Sequence, residues 1–251
     1  MAQKTIRTGF DSPGFASFLG WVSVCFRPKS AGLLAGALAW LSLSELGGAA
    51  DLTAPPRKSL VVLGDSLAAG FGVEPREAYP ALLQRRVEAA GLPFTVVNAS
   101  VSGDTTAGGL RRMDWVLRQP VDVLLLELGG NDGLRGLAPE ASRSNLVAII
   151  GKARAKNPAT RIVLAGMVMP DNLGAVYTQK FQAIFPEVAR EQKVALIPFL
   201  LAGVGGVPEL NQPDQIHPTA RGHELVASNV WITLEPALRA AAEGSQLNGV
   251  K

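Results

Sequence analysis

The sequence predicts a single α/β domain of three layers, α/β/α, built on a five-stranded, mostly parallel sheet. Three observations carry that prediction. Short Val/Leu/Ile-rich runs recur at Ser59–Leu63, Phe94–Asn98, Val121–Leu126, Arg161–Met167 and Ala195–Ile197, of the length and content that suit strands buried on both faces. Segments with helical spacing separate them, and alternating βα units build a parallel sheet covered by helices. The composition fits as well: 251 residues, 47% hydrophobic and 18% charged, hold one sizeable core and exclude a disordered tail or a coiled coil.

In chain order, residues 1–50 read as a leader. Arg27-Pro28-Lys29 precedes an apolar run from Ala31 to Leu43, and Gly48-Ala49-Ala50 supply small residues before Asp51. That order is the pattern of a secretory signal peptide, with cleavage expected after Ala50 and a periplasmic or secreted product. The apolar run is short for a bilayer span; an uncleaved inner-membrane anchor, helped by the apolar patch from Gly14 to Phe26, is the competing reading. Residues 51–57, with Thr53-Ala54-Pro55-Pro56, read as a linker, 58–241 as the domain and 242–251 as a flexible tail.

Within the domain, Leu83, Val87 and Ala90 share a helical face that Gly91 ends as a C-cap. Leu146, Ile149, Ile150 and Ala153 form a second face, stopped by Asn157-Pro158. Phe181, Ile184, Phe185 and Val188 form a third, with Pro186 as an expected kink, and a last helix is expected from about Thr219 to Ala240.

The net charge of +3 belongs mainly to the leader, where Lys4, Arg7, Arg27 and Lys29 face only Asp11 and Glu45. The remainder is close to neutral, so no nucleic-acid footprint is present. The single cysteine, Cys25, excludes an internal disulfide framework and a four-cysteine zinc site. The two histidines, His217 and His223, lack the cluster of ligands that a metal needs, so neither metal nor cofactor is expected. No G-x-G-x-x-G fingerprint and no Walker A lysine occur, which removes the usual signals of nucleotide binding.

In an open parallel sheet, ligands bind outside the C-terminal strand ends, so the loops there should carry the chemistry. The first strand runs into Gly64-Asp65-Ser66-Leu67, the second into Ser102-Gly103-Asp104, and the third into Glu127-Leu128-Gly129-Gly130-Asn131-Asp132. Asp214-Gln215-Ile216-His217-Pro218 precedes the last helix. A serine hydroxyl becomes a nucleophile when a base takes its proton, and an acid must fix the tautomer of that base. Asp214 and His217 could supply both. Each motif alone has an innocent reading: an N-cap serine, a glycine turn, a capping aspartate. His223, inside the expected last helix, reads as a helix-surface residue.

Taken in order, G-D-S-L, a glycine after strand two, G-x-N-D and D-x-x-H resemble the GDSL, or SGNH, hydrolase family. The named residues of that family would be Ser66, Gly103, Asn131 and His217. VVNASVSGDTTAGGL, LLLELGGNDGLRG, Tyr79–Leu83 and Asp214–Pro218 extend the resemblance toward the secreted bacterial thioesterase I/lysophospholipase/arylesterase group, over most of Leu60 to Pro218. The resemblance implies a flavodoxin-like SGNH hydrolase fold and a serine hydrolase working through an acyl-enzyme. Ser66 would be the nucleophile, His217 the base and Asp214 its orienting acid. The Ser66 and Gly103 N–H groups and the Asn131 amide would form the oxyanion hole.

Gly109, Leu110, Leu134, Met169 and Pro170 are candidates for an apolar acyl groove because they should lie near the strand ends. The expected substrate is a small-molecule acyl ester or thioester, including aryl esters, acyl-thioesters and lysophospholipids. Membrane contact is expected only through an uncleaved leader or a lysolipid, and a monomer is favoured. A carbohydrate acetyl-esterase is the nearest rival; a non-catalytic lipid- or glycan-binding module is the rival from another class. Asp65 is expected to brace its loop through backbone N–H groups. Asp104, Asp132 and Arg135 are expected as loop scaffolding or substrate-edge residues. Glu127, a carboxylate at a buried strand end, requires a partner that the sequence does not name.

Overall fold

The structure, a computed structural model, describes residues 57–246. The expected leader with its cleavage site at Ala50, almost all of the 51–57 linker and the last residues of the expected tail lie outside the described residues. Five strands form one sheet: β1 (Lys58–Gly64), β2 (Phe94–Asn98), β3 (Val123–Glu127), β4 (Arg161–Ala165) and β5 (Ala195–Ile197). Their order is β2-β1-β3-β4-β5, and every pairing is parallel.

The helices are α1 (Ser66–Ala69), α2 (Tyr79–Ala89), α3 (Thr106–Val116), α4 (Gly130–Leu134), α5 (Pro139–Lys156), α6 (Ala175–Gln192) and α7 (Ala220–Gln246). α2 packs with α7, and α3, α5 and α6 pack in series, giving the two helical layers around the sheet. Successive strand residues point to opposite faces, so a strand covered on both sides must be apolar throughout. Leu60–Leu63 and Val123–Leu126 are accordingly all buried. The edge strands differ: Val97 of β2 is exposed, and β5 is buried only at Ile197. The expectation of burial on both faces therefore holds for the central strands and fails at the edges, where one flank meets solvent.

The predicted helical faces lie in the core: Leu83 and Val87, then Leu146, Ile149, Ile150 and Ala153, then Phe181, Ile184, Phe185 and Val188. Helix α6 runs without a break through Pro186. Helix α7 continues past Ala241 to Gln246, into the segment expected as tail, because Ala240, Ala241, Ala242 and Glu243 are strong helix formers. Among the described residues no helix is long and apolar enough to cross a membrane.

His223 corrects the surface assignment. It sits on the inward face of α7 with only 1% of its surface exposed. The cause lies in α2, whose N-cap, Ala78, has no side chain able to accept from the first-turn amides. His223 Nδ1 accepts from Tyr79 N instead, at 3.3 Å, so the last helix caps the second across their interface.

Candidate active site

The C-terminal ends of β1, β2 and β3 bring three loops together. β1 ends at Gly64, which pairs in register with Glu127 at the end of β3. Asp65 follows as the N-cap of α1, its Oδ1 accepting from Leu67 N at 3.0 Å. This matches its expected bracing role. Ser66 opens α1, and Gly70 closes it in the left-handed region at φ 77°, a conformation open to glycine at little cost.

Ser66 Oγ lies 2.8 Å from His217 Nε2, and His217 Nδ1 lies 2.6 Å from Asp214 Oδ2. An ionised carboxylate only accepts, so Nδ1 carries the proton and Nε2 is left to accept from the serine hydroxyl. The Asp214–His217 loop is tight: Asp214 Oδ1 accepts from the N–H groups of Ile216 and His217 at 2.9 and 3.0 Å, and Gln215 adopts φ 58°. Burial alone would raise the Asp214 pKa, but the hydrogen bond from His217 and the two backbone donors outweigh it and hold the group at about 2. Asp214 is therefore a carboxylate across the working pH range.

Asn131, in α4, faces the same place. Its Nδ2 donates to Asp104 O at 2.9 Å and to Asp65 Oδ2 at 3.2 Å, and its Oδ1 accepts from Arg135 Nη2 at 3.4 Å. An acceptor on one side and a guanidinium on the other fix which end of the amide is the donor. Arg135 also donates to Gly103 O at 3.1 Å, and Gly103 sits at φ 82°. The backbone N–H groups of Ser66 and Gly103 donate to no acceptor among the described residues.

The scaffold around these groups combines a buried carboxylate, Asp132, with a partly buried ion pair. Asp132 accepts from Thr106 N, the Thr106 hydroxyl and the Ser142 hydroxyl, tying α4 to α3 and α5. Asp104 pairs with Arg112 at 2.6 Å, and Arg112 also donates to the carbonyls of Ala99 and Gly64. Asp104, Asp132 and Arg135 thus act as loop scaffolding.

A cavity of about 600 Å3 opens beside Ser66, with Gly103, Asn131 and His217 on its polar side. Of the residues proposed for an acyl groove, Leu134, Met169 and Pro170 line it. Gly109 and Leu110 do not. A Cβ on Gly109 would collide with Leu128 and meet Ile149, and Leu110 packs against the core. The glycine lets α3 lie close on its neighbours, away from the strand mouth. Met167, Val168, Phe199, Leu201 and Ile216 also line the cavity. Sequence reasoning missed them, although the expected fourth strand ended beside Val168 and Ile216 stood inside the Asp214–Pro218 motif.

Residues 62–225 match the profile of the GDSL-like lipase/acylhydrolase family, well over half of the chain. The chain belongs to that family. It is a GDSL acylhydrolase, an enzyme of ester hydrolysis. This GDSL hydrolase is 42% identical over 207 residues to a protein named esterase TesA from Pseudomonas aeruginosa, covering 82% of this chain and 98% of the relative. It is 38% identical over 179 residues to thioesterase 1/protease 1/lysophospholipase L1 of Escherichia coli, covering 71% and 84% respectively. A solved crystal structure of TesA superposes with a TM-score of 0.69 at 43% identity, covering 72% of this chain and 99% of that one.

Proposed function

We propose that the enzyme hydrolyses carboxylic esters and thioesters of lipophilic acyl groups through an acyl-enzyme on Ser66. The observation that carries this reading is the continuous relay from Ser66 Oγ through His217 to Asp214, at 2.8 and 2.6 Å. His217 Nε2 takes the serine proton as Oγ attacks the carbonyl carbon, then returns it to the leaving alcohol or thiol. Water repeats the cycle in reverse to release the acid. Asp214 holds the tautomer and stabilises the imidazolium. The tetrahedral oxyanion is met by the N–H groups of Ser66 and Gly103 and by the Asn131 Nδ2 hydrogen that turns to it from the Asp104 carbonyl, while the other stays on Asp65. Leu134, Met167, Met169 and Phe199 offer the acyl chain an apolar wall. That wall supports a longer acyl group over a carbohydrate acetyl ester, whose sugar would need polar partners.

A fluorophosphonate probe tests the nucleophile: labelling is expected at Ser66 and lost in Ser66→Ala. A p-nitrophenyl ester series, run beside an acyl-thioester and a lysophospholipid, tests the substrate class. Turnover is expected to rise from acetyl to medium-chain esters. Turnover confined to acetylated sugars would overturn the acyl-chain reading.

We further propose that residues 1–50 form a leader cleaved after Ala50, that the domain spans 58–241, and that the mature enzyme is a periplasmic or secreted monomer. The cationic stretch, the apolar run and the small residues before Asp51 support it. The N-terminal sequence of the exported protein tests it, with Asp51 expected first.

A further inference from the structure

Glu127 ends the central strand β3 with none of its surface exposed. Its Oε2 accepts from Asp65 N at 3.3 Å, and its Oε1 has no hydrogen-bond partner among the described residues. A Cβ on Gly64 would collide with Oε2, so glycine at the end of β1 is what admits this carboxyl. The acidic group beside it is another carboxyl: the Asp65 backbone donates to Oε2, and the Asp65 side chain is itself only 2% exposed. Two such groups cannot both ionise in a buried site without a cation.

Among the described residues the neighbours supply no cation to Glu127. From α2 comes Tyr79, whose buried hydroxyl has no hydrogen-bond partner among the described residues and whose pKa burial holds well above its usual value. From α3 comes Arg112, committed to Asp104 and to the Gly64 carbonyl. His217 acts on Asp65. Burial, followed by the Asp65 charge, pushes the Glu127 pKa well above the carboxylate range, while burial lifts Asp65 to about 6.

We propose that Glu127 is a neutral carboxylic acid donating its proton to the Asp65 carboxylate, and that Asp65, so held, is a positioning residue aiming the Asn131 amide at the reacting carbonyl. The second half rests on Asn131 being an oxyanion donor. Asp65 Oδ1 is occupied by Leu67 N and Oδ2 by Asn131 Nδ2. An ionised Asp65 offers that amide only acceptors, which excludes the flipped orientation. A neutral Glu127 supplies the donor that stabilises this buried charge.

Two arms test it. At about pH 8 the wild type should show a protonated-carboxyl infrared band that Glu127→Gln removes, since Asp65 is then ionised. Absence of the band overturns the neutral acid. Glu127→Gln, which keeps a donor for Asp65 and an acceptor for its N–H, should retain kcat within about threefold. A loss of a hundredfold would overturn the bracing role.

Asp65→Asn presents a donor to a donor, so kcat should fall at least about tenfold with KM unchanged. In an Asn131→Ala background the same change should cost less than about twofold, because its target is gone. An equal loss in both backgrounds overturns the positioning role. Should Asp65→Asn fail to fold, the Asn131 side-chain amide resonance in the wild type reads the same coupling, shifting with a midpoint at about 6; no shift overturns it. Full turnover in Asn131→Ala alone would remove the oxyanion reading, and the infrared band would still report Glu127.

Discussion

The Phe71 ring packs against the imidazole of His217, with 4.6 Å between ring centroids and 40° between their planes. Phe71 follows Gly70, where α1 stops, and half of its surface is exposed, so the contact is not part of the core. In the proposed mechanism His217 becomes an imidazolium in the transition state, and a neighbouring ring favours that cation by about 0.5–1 kcal/mol. That stabilisation exists only when the charge develops, so it acts on kcat. Phe71→Ala is expected to lower kcat by about two- to fivefold, leaving the melting temperature within a few degrees of wild type. Steady-state kinetics and a thermal melt check both.

Asp214 makes a sharper prediction. Its carboxyl is held at about 2, so its charge is complete at neutral pH and is lost only as pH falls through that value. Titration of Asp214 therefore does not shape the activity profile near neutrality. Asp214→Asn keeps the shape but presents an amide that can donate to Nδ1, which favours the wrong tautomer. The expected loss in kcat is about 10⁴-fold, with KM little changed. A loss below tenfold would show that the loop alone orients His217.

Gly64 links the strand to the buried carboxyl pair. A methyl there would collide with Glu127 Oε2 and with Ala68 Cβ, neither of which is a free end. Gly64→Ala is expected to destabilise the domain by about 1–3 kcal/mol through overpacking, a drop of several degrees in melting temperature. It should also slow turnover by displacing Asp65 and Ser66. Differential scanning calorimetry beside ester kinetics measures the two effects.

The candidate site was legible because each group is adjacent in sequence to a strand end or to the last helix. Gly64-Asp65-Ser66, Asn131-Asp132 and Asp214–His217 each stand where an open parallel sheet places its ligand loops. The central strands were legible from continuous hydrophobicity. Helix α3 was not, because Gly108 and Gly109 depress its propensity. The structure shows both glycines answering to packing: a Cβ at Gly108 would strike Asp104, and one at Gly109 would strike Leu128. Such close approach between distant segments leaves no local trace. The same holds for Glu127 with Asp65 and for His223 with Tyr79, partners 62 and 144 residues apart. A cavity wall built from Phe199 and Leu201, beyond the short strand β5, is equally invisible to periodicity.

His223 leads to the last prediction, which concerns stability in acid. Burial lowers its pKa from 6.5 to about 4, with the charge of Glu77 opposing and that of His217 adding a little. The folded-state value lies below the unfolded one, so between about 6.5 and about 4 the unfolded chain binds a proton that the folded chain refuses. Stability therefore falls as pH falls through that window, by up to about 3 kcal/mol, and the slope ends once both states are protonated. His223→Gln keeps an acceptor for Tyr79 N and removes the titration. It should melt close to wild type at neutral pH and lose less stability on acidification. His223→Ala leaves the first amide of α2 without an acceptor and should be destabilised by about 1–3 kcal/mol even at neutral pH. Melting curves of the three proteins from pH 7 to pH 4 separate these effects. A Gln variant with the same acid slope as wild type would place the proton uptake on another group.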